Sequence, residues 1–170
     1  MPEPRIAFSL IGAQKSGTTS LFSWLAQHPQ IGLPREKEVP FLCSADLYAA
    51  GFAKLLDVYY GRSSSREILG IAHVGMMIHD ISAELAYDHN PSMLLIAVLR
   101  NPVDRAYSAY WHHRVRGDET APTFEAAIER ELSDTTVLPP DQLHLAYLRN
   151  GIYYQRLEPF FRRFSKESIC

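Results

Sequence analysis

Residues 12–19 read Gly-Ala-Gln-Lys-Ser-Gly-Thr-Thr and directly follow the apolar run of residues 6–11. A strand, a loop with glycines five positions apart and then a helix form the pattern of a phosphate-binding loop. Backbone amides of such a loop, and the positive end of the helix after it, point at an anion. These residues predict an α/β protein of the P-loop type, in which helices flank a central parallel sheet in three layers.

The lysine of this loop does not occupy the position that it has in a nucleoside triphosphatase. In the Walker A pattern the lysine follows the second glycine and reaches the terminal phosphates, and the next Ser or Thr holds magnesium. Here Thr18 follows Gly17, and Lys15 lies inside the loop. The loop therefore keeps an anion site but lacks the usual groups for cleaving a nucleoside triphosphate.

A second anion site is indicated where the apolar run of residues 93–99 ends at Arg100. In P-loop enzymes a strand of this kind commonly ends in an aspartate that helps to hold magnesium. Asn101 is a good N-cap and Pro102 suits the first helical position, so a helix should begin there. Helical spacing then lets Ser108 share an anion with Arg100. We expect a second phosphate site here, and no pattern in the chain suggests a metal site.

Two anion sites without a magnesium carboxylate suit a nucleotide that carries phosphate at both ends of its ribose. Residues 12–19 resemble the 5′-phosphosulfate loop of sulfotransferases that use 3′-phosphoadenosine 5′-phosphosulfate (PAPS), including the carbohydrate (heparan-sulfate-type) and bacterial branches, and residues 100–108 resemble their 3′-phosphate motif. The resemblance runs from about residue 6 to the last residue. It implies PAPS as the donor, 3′-phosphoadenosine 5′-phosphate (PAP) as the product, and no metal. It also implies the donor-binding residues Gln14, Lys15, Ser16, Gly17, Thr18, Thr19, Arg100 and Ser108.

The same resemblance suggests catalytic residues. Residues 35–42 resemble the family's Lys-Glu-x-x-Phe-Phe segment, which implies Glu38 as the base and places Lys37 beside the donor phosphosulfate. Lys15 would stabilise the bridging oxygen as the phosphosulfate bond breaks. His73 is a rival base, because it follows the apolar run of residues 68–72 where ligands collect in open α/β sheets. The chain departs from its relatives here, since residue 71 is isoleucine where they commonly have glutamate. The sequence leaves both bases open.

Strand and helix patterns alternate along the chain, which predicts one domain, residues 1–170, with a parallel sheet. The chain stops at what looks like the start of a further strand, residues 168–170, so we expect an incomplete sulfotransferase domain whose C-terminal part is missing. The helix of residues 153–164 carries a stripe that should face the core, formed by Tyr153, Leu157, Phe160, Phe161 and Phe164. The predicted strands cover residues 5–11, 68–72 and 93–99, with a short extended piece near 31–33, and the predicted helices cover 18–27, 46–59, 78–88, 102–116, 124–132, 142–149 and 153–164.

Composition narrows the classes of partner. The 170 residues are 46% hydrophobic and carry a formal net charge of -2, which gives no reason to expect nucleic acid. The two cysteines, Cys43 and Cys170, are predicted to be free thiols. The chain begins almost at its first strand and has no apolar run of membrane-spanning length, so we expect a cytoplasmic protein without a membrane anchor or membrane partner. Nothing in the sequence indicates an oligomeric state.

Three functions remain in competition. The first is a PAPS-dependent sulfotransferase that moves a sulfuryl group, in line, to a hydroxyl or amine of a carbohydrate or small metabolite. The second is a non-catalytic nucleotide-binding fragment of the same fold, because the chain stops early and departs from its relatives at Ile71. The third is a P-loop small-molecule kinase. A kinase would require a lysine in place of Thr18 and usually a metal-holding carboxylate, and the sequence offers neither.

Overall fold

The computed structural model describes residues 5–61, 65–133 and 138–170. The described residues form a four-stranded sheet in the order β2-β3-β1-β4, and every neighbouring pair is parallel. Helices flank the sheet, so the predicted α/β architecture is confirmed. The strands are β1 (Ile6–Gly12), β2 (Ile31–Gly32), β3 (Ile68–Ala72) and β4 (Leu94–Ala97). The α-helices are α1 (Thr18–Leu25), α2 (Ala45–Ala49), α3 (Phe52–Leu55), α4 (Ser82–His89), α5 (Pro102–Arg116), α6 (Phe124–Ser133) and α7 (Tyr153–Phe161).

The central strand β1 contributes several of the most deeply buried residues of the core. Ile6, Leu10 and Ile11 have almost no exposed surface, because each lies between neighbouring strands and the helices that cover the sheet. Helix α7 packs its Phe160 against the same core, as the aromatic stripe predicts. Phe161 was placed on that stripe but is 44% exposed, so its inclusion was wrong. It lies one position after Phe160 and therefore faces another side of the helix.

Two predicted helices take other forms. The helix predicted for residues 46–59 is broken at Gly51, whose φ of +93° is disfavoured for side-chain-bearing residues. The helix predicted for residues 142–149 is a 3₁₀ helix, Pro140–Leu145. Beyond Ala146 and Tyr147, the Glu131 carboxylate accepts the amides of Leu148 and Arg149 at 2.8 and 2.9 Å, and a second short 3₁₀ helix, Arg149–Gly151, follows. Tertiary hydrogen bonds here replace the helical ones.

The carboxyl ends of β3, β1 and β4 meet at one edge of the sheet. The amide of Ala13 donates to the carbonyl of Val98, and the amide of Val98 donates to that of Gly12, both at 2.8 Å. The amide of His73 donates to the carbonyl of Leu10 at 3.1 Å. These bonds fix the loops after the three strands beside one another, which is where ligands bind in open α/β sheets.

The last residues pair with the outer edge of β4. The amide of Cys170 donates to the carbonyl of Leu95 at 2.9 Å, and the amide of Ala97 donates to the carbonyl of Cys170 at 2.8 Å. Ile169 forms a parallel bridge with Leu95. Of residues 168–170, where a further strand was predicted to begin, Ser168 ends a short 3₁₀ helix, and Ile169 and Cys170 pair with the edge of the sheet.

The buried carboxylate of Glu119, in the loop after α5, binds both α6 and the segment that follows α6. The Glu119 side chain accepts hydrogen bonds from both terminal nitrogens of Arg130 at 2.8 Å and from the Tyr147 hydroxyl at 2.8 Å. Its third partner is the amide of Ala121, at 2.7 Å. Burial alone would raise the pKa of Glu119, but these hydrogen bonds outweigh burial and lower the pKa to about 2.

We expect Glu119→Gln to lower the free energy of unfolding by about 2 to 3 kcal/mol, because it removes the charge that Arg130 and Tyr147 bind. The folded-state pKa lies below the unfolded value, so this stabilisation is complete above about pH 5 and is lost as the pH falls towards 2. Urea unfolding at pH 7 and pH 3 measures both effects. Glu129→Gln, an exposed change on α6, is the control. Equal stability of the two variants at pH 7 would contradict the assignment.

Candidate functional site

A cleft of about 1100 Å³ opens at the carboxyl ends of the strands. It brings together both predicted anion sites and the predicted catalytic segment. The predicted residues that line it are Gln14, Lys15, Gly17, Thr18, Thr19, Lys37, Glu38, His73, Arg100 and Ser108. Ser16 is the one predicted site residue that does not line the cleft, and its hydroxyl is buried.

The phosphate loop is shaped to receive an anion. Gly17 caps α1 with φ +94°, so no side chain caps the helix. The first amides of a helix have no intrahelical acceptor, and an anion can bind them. The buried hydroxyl of Ser16 has no hydrogen-bond partner in the described part of the chain. A phosphate oxygen in the cleft would supply an acceptor for the helix amides, whereas the Ser16 hydroxyl does not line the cleft.

Backbone strain is concentrated at two of the predicted catalytic residues. Within residues 5–61, 65–133 and 138–170, Lys15 (φ +66°) and Glu38 (φ +70°) are the non-glycine residues with positive φ. This conformation costs of the order of 1 kcal/mol for a residue with a side chain, and it clusters at ligand sites. Both residues line the same cleft.

The second anion site begins as the sequence predicts. The Asn101 side chain accepts the amides of Val103 and Asp104 at 3.0 and 3.3 Å, which confirms it as the N-cap of α5. The Tyr153 hydroxyl donates to the carbonyl of Arg100 at 2.9 Å. The guanidinium of Arg100 lies 3.4 Å from the carbonyl oxygen of Lys15 in the phosphate loop. The residues of the two predicted anion sites therefore lie beside one another.

Arg105, from the same motif, has a structural position. It is 1% exposed, and its guanidinium donates to the carbonyl of Tyr147. Burial lowers its pKa, and the nearby Tyr153 and Glu131 oppose that shift. Arg105 thus ties α5 to the segment that follows α6.

The carboxylate of Glu38 is fixed at the end of β3. Its amide donates to the carbonyl of Ala72 at 3.0 Å. Its Oε2 accepts the amide of Val74 at 2.8 Å, and its Oε1 pairs with the ammonium of Lys37. The Lys37 side chain is 16% exposed and that of Glu38 38%, so the carboxylate remains accessible from the cleft.

The imidazole of His73 is held in one tautomer. Its Nδ1 accepts the amide of Gly75 at 3.0 Å and lies 3.4 Å from the sulfur of Cys43. Because Nδ1 accepts, the neutral ring carries its proton on Nε2. Burial lowers the pKa of His73, which the charge of Glu38 partly opposes. His73 is therefore suited to donate a hydrogen bond near neutral pH and poorly suited to accept a proton.

Cys43 beside it is inert. Burial raises the pKa of the Cys43 thiol to about 12, so it stays protonated. Cys43 and Cys170 are both free, as predicted.

The far wall of the cleft carries polar residues that sequence reasoning assigned to no site. His113 extends its Nδ1 towards Asp118 at 3.3 Å and its Nε2 towards the side-chain amide of Gln14 at 3.3 Å. Burial lowers the pKa of His113 to about 4, and the hydrogen bond to Asp118 opposes this only in part. No local spacing joins these residues to His144, because a separate segment brings it to the cleft. The unassigned polar residues are His79, His112, His113, Arg116, Asp118, Asp141 and His144.

Comparisons with known proteins identify the family of the chain. The family model described as "Sulfotransferase domain" matches residues 6–168. The "Bifunctional heparan sulfate N-deacetylase/N-sulfotransferase 4" of Mus musculus is 30% identical over 95% of this chain and 19% of its own length. A membrane-associated sulfotransferase of Dictyostelium discoideum is 31% identical over 73% of this chain and 27% of its own length.

A solved structure, a sulfotransferase from Alicyclobacillus acidocaldarius, superposes with a TM-score of 0.78 at 26% identity, over 98% of this chain and 72% of that one. The chain spans about a fifth of the length of the mammalian relatives it matches. The helices in the described segments are all too short or too polar to cross a bilayer.

Proposed function

Because the chain belongs to the sulfotransferase domain family, we propose that it transfers a sulfuryl group from PAPS to a hydroxyl or amine of a carbohydrate or small-molecule acceptor. The observation that carries this proposal is that Lys15 and Arg100, from two separate motifs, line one cleft together with Glu38. The heparan sulfate enzymes among its relatives favour a carbohydrate acceptor.

The donor would be held at both ends. Its 5′-phosphosulfate would bind the phosphate loop, where the first amides of α1 offer donors. Its 3′-phosphate would bind Arg100 and Ser108, which lie across the cleft. Thr18 stands where a kinase has its lysine. The residues present therefore fit a doubly phosphorylated nucleotide better than a metal-bound triphosphate.

Transfer would proceed by in-line displacement. The acceptor oxygen or nitrogen forms a bond to sulfur while the bond from sulfur to the bridging oxygen breaks, and PAP leaves with the electron pair. Lys15 would neutralise the charge that grows on the bridging oxygen, and Lys37 would lie beside the sulfonate oxygens. The acceptor proton would pass to the Glu38 carboxylate.

Glu38 is the better base of the two candidates. Its carboxylate has lone pairs beyond those that bind Val74 and Lys37. The lone pair of neutral His73 is already used by the amide of Gly75. His73 would instead donate from Nε2 to the acceptor or to a sulfonate oxygen.

We expect Arg100→Ala to weaken PAP binding about 10- to 100-fold, because it removes a charge-assisted contact worth about 1.5 to 3 kcal/mol. Binding of 5′-AMP, which lacks the 3′-phosphate, should change less than about threefold. Titration calorimetry of both nucleotides measures the difference. Arg114→Ala, an exposed change on α5, is the matched control. Equal losses for the two nucleotides would show that Arg100 does not bind the 3′-phosphate.

The proposed activity is tested by incubating the chain with PAPS labelled in its sulfate and with desulfated heparan sulfate, which offers both hydroxyls and amines. Appearance of label in the polysaccharide is the expected result. PAP binding without transfer to this acceptor or to a panel of small hydroxyl and amine compounds would favour the non-catalytic fragment. Absence of PAP binding would contradict both the sulfotransferase and the non-catalytic nucleotide-binding fragment.

A further inference from the structure

Three side chains on the far wall of the cleft converge without any local sequence pattern. His113 comes from the last turn of α5, Asp118 from the loop after it, and His144 from the 3₁₀ helix Pro140–Leu145. One ligand atom of each lies within 4.8 Å of the ligand atoms of the other two. All three side chains line the cleft.

The surroundings of the two histidines suit metal ligands in different ways. A metal-bound histidine typically uses its second ring nitrogen to hydrogen-bond a fixed acceptor, which sets the tautomer. The Nδ1 of His113 faces Asp118 at 3.3 Å, and its Nε2 lies 3.4 Å from the carbonyl oxygen of the Gln14 side chain. The Nε2 of His144 is buried and finds no hydrogen-bond partner among the residues that the structure covers. A buried nitrogen without a partner is costly unless a ligand satisfies it.

We propose that His113, Asp118 and His144 form a binding site for one zinc-type divalent ion, with a fourth position open to the cleft. Two imidazoles and one carboxylate are a ligand set that zinc accepts in open, three-ligand sites. Magnesium and calcium prefer sites made of oxygen alone, so they should bind here weakly or not at all. The ligand atoms lie within 4.8 Å of one another, and around a tetrahedral zinc ion with bonds of about 2.0 to 2.1 Å they would be about 3.3 Å apart, so small side-chain rotations would complete the site.

Arg116 is the one competing group that the structure places on these ligands. Its Nε donates to Asp118 Oδ2 at 3.1 Å, and its side chain is 63% exposed. The other carboxylate oxygen of Asp118 is free of this bond, and the exposed arginine can keep its contact from outside. The ion site therefore does not require the arginine to be removed.

The test is metal binding by the whole chain after removal of bound metal. We expect calorimetry to show one zinc ion bound per chain and Co²⁺ to give the intense visible absorption of a four-coordinate site. His144→Ala and Asp118→Asn should each weaken zinc binding at least about 100-fold. His28→Ala, which removes an exposed histidine from another part of the surface, should bind zinc as the wild type does.

Thermal unfolding of the metal-free variants checks that each is folded. Zinc binding by His144→Ala at wild-type affinity, or no stoichiometric binding by the wild type, would overturn the proposal. The readout is metal content and spectrum, so its outcome is independent of whether the chain transfers sulfate.

Discussion

Lys15→Met is expected to slow sulfuryl transfer from PAPS by about 10²- to 10³-fold, the usual cost of removing one group that stabilises charge in a transition state. Methionine keeps most of the length of the side chain and removes only the ammonium. The rest of the loop, including Gly17 and the first amides of α1, should still bind the donor. We therefore expect the loss mainly in kcat, with a smaller change in PAP affinity.

Initial rates at saturating PAPS, with PAP affinity measured in parallel, check this result. Lys54→Met is the matched control, because Lys54 is an exposed lysine on α3. A loss of less than about fivefold in kcat for Lys15→Met would show that this ammonium does not act on the leaving group.

Glu38→Gln should lower kcat by about 10²- to 10⁴-fold, the range for loss of a general base. The amide oxygen of glutamine can still accept the amide of Val74, so the loop should keep its conformation. PAP affinity should be nearly unchanged, since the base acts on the acceptor. Glu36→Gln, an exposed change in the same loop, is the control.

His73→Asn separates the two candidate bases. Asparagine can accept the amide of Gly75 as Nδ1 of His73 does, and it is a good N-cap for the short helix Val74–Met77. We expect this variant to keep more than about a tenth of the wild-type rate, because a lost donor costs less than a lost base. Loss of activity in His73→Asn together with normal activity in Glu38→Gln would reverse the assignment.

The parts of the fold that local sequence governs were predictable. The phosphate loop and the N-cap at Asn101 each follow from a few adjacent residues with a strong conformational preference. The parallel sheet follows from alternating apolar runs and helices, because crossover connections leave few alternatives. Because the two predicted anion sites follow neighbouring parallel strands, the sheet places them at the same edge.

The far wall of the cleft was not predictable, because non-local contacts place it. His144 reaches the site on a 3₁₀ helix whose continuation is fixed by Glu131 and by the side chain of Asn150, which donates to Leu143 at 2.8 Å. Nothing in the local sequence shows those bonds. Gly51 is a local signal for a helix break. The helical periodicity of the residues on both sides of it favoured a single continuous helix instead.

The proposed function requires that the cleft bind a nucleotide phosphorylated at both ends of its ribose, and that this binding need no divalent ion. Titration calorimetry of the wild-type chain with PAP in the presence of a chelator, and with ATP in the presence of magnesium, tests it most directly. We expect PAP to bind without metal, and at least about tenfold more tightly than ATP with magnesium. Tighter binding of ATP that depends on magnesium would contradict it.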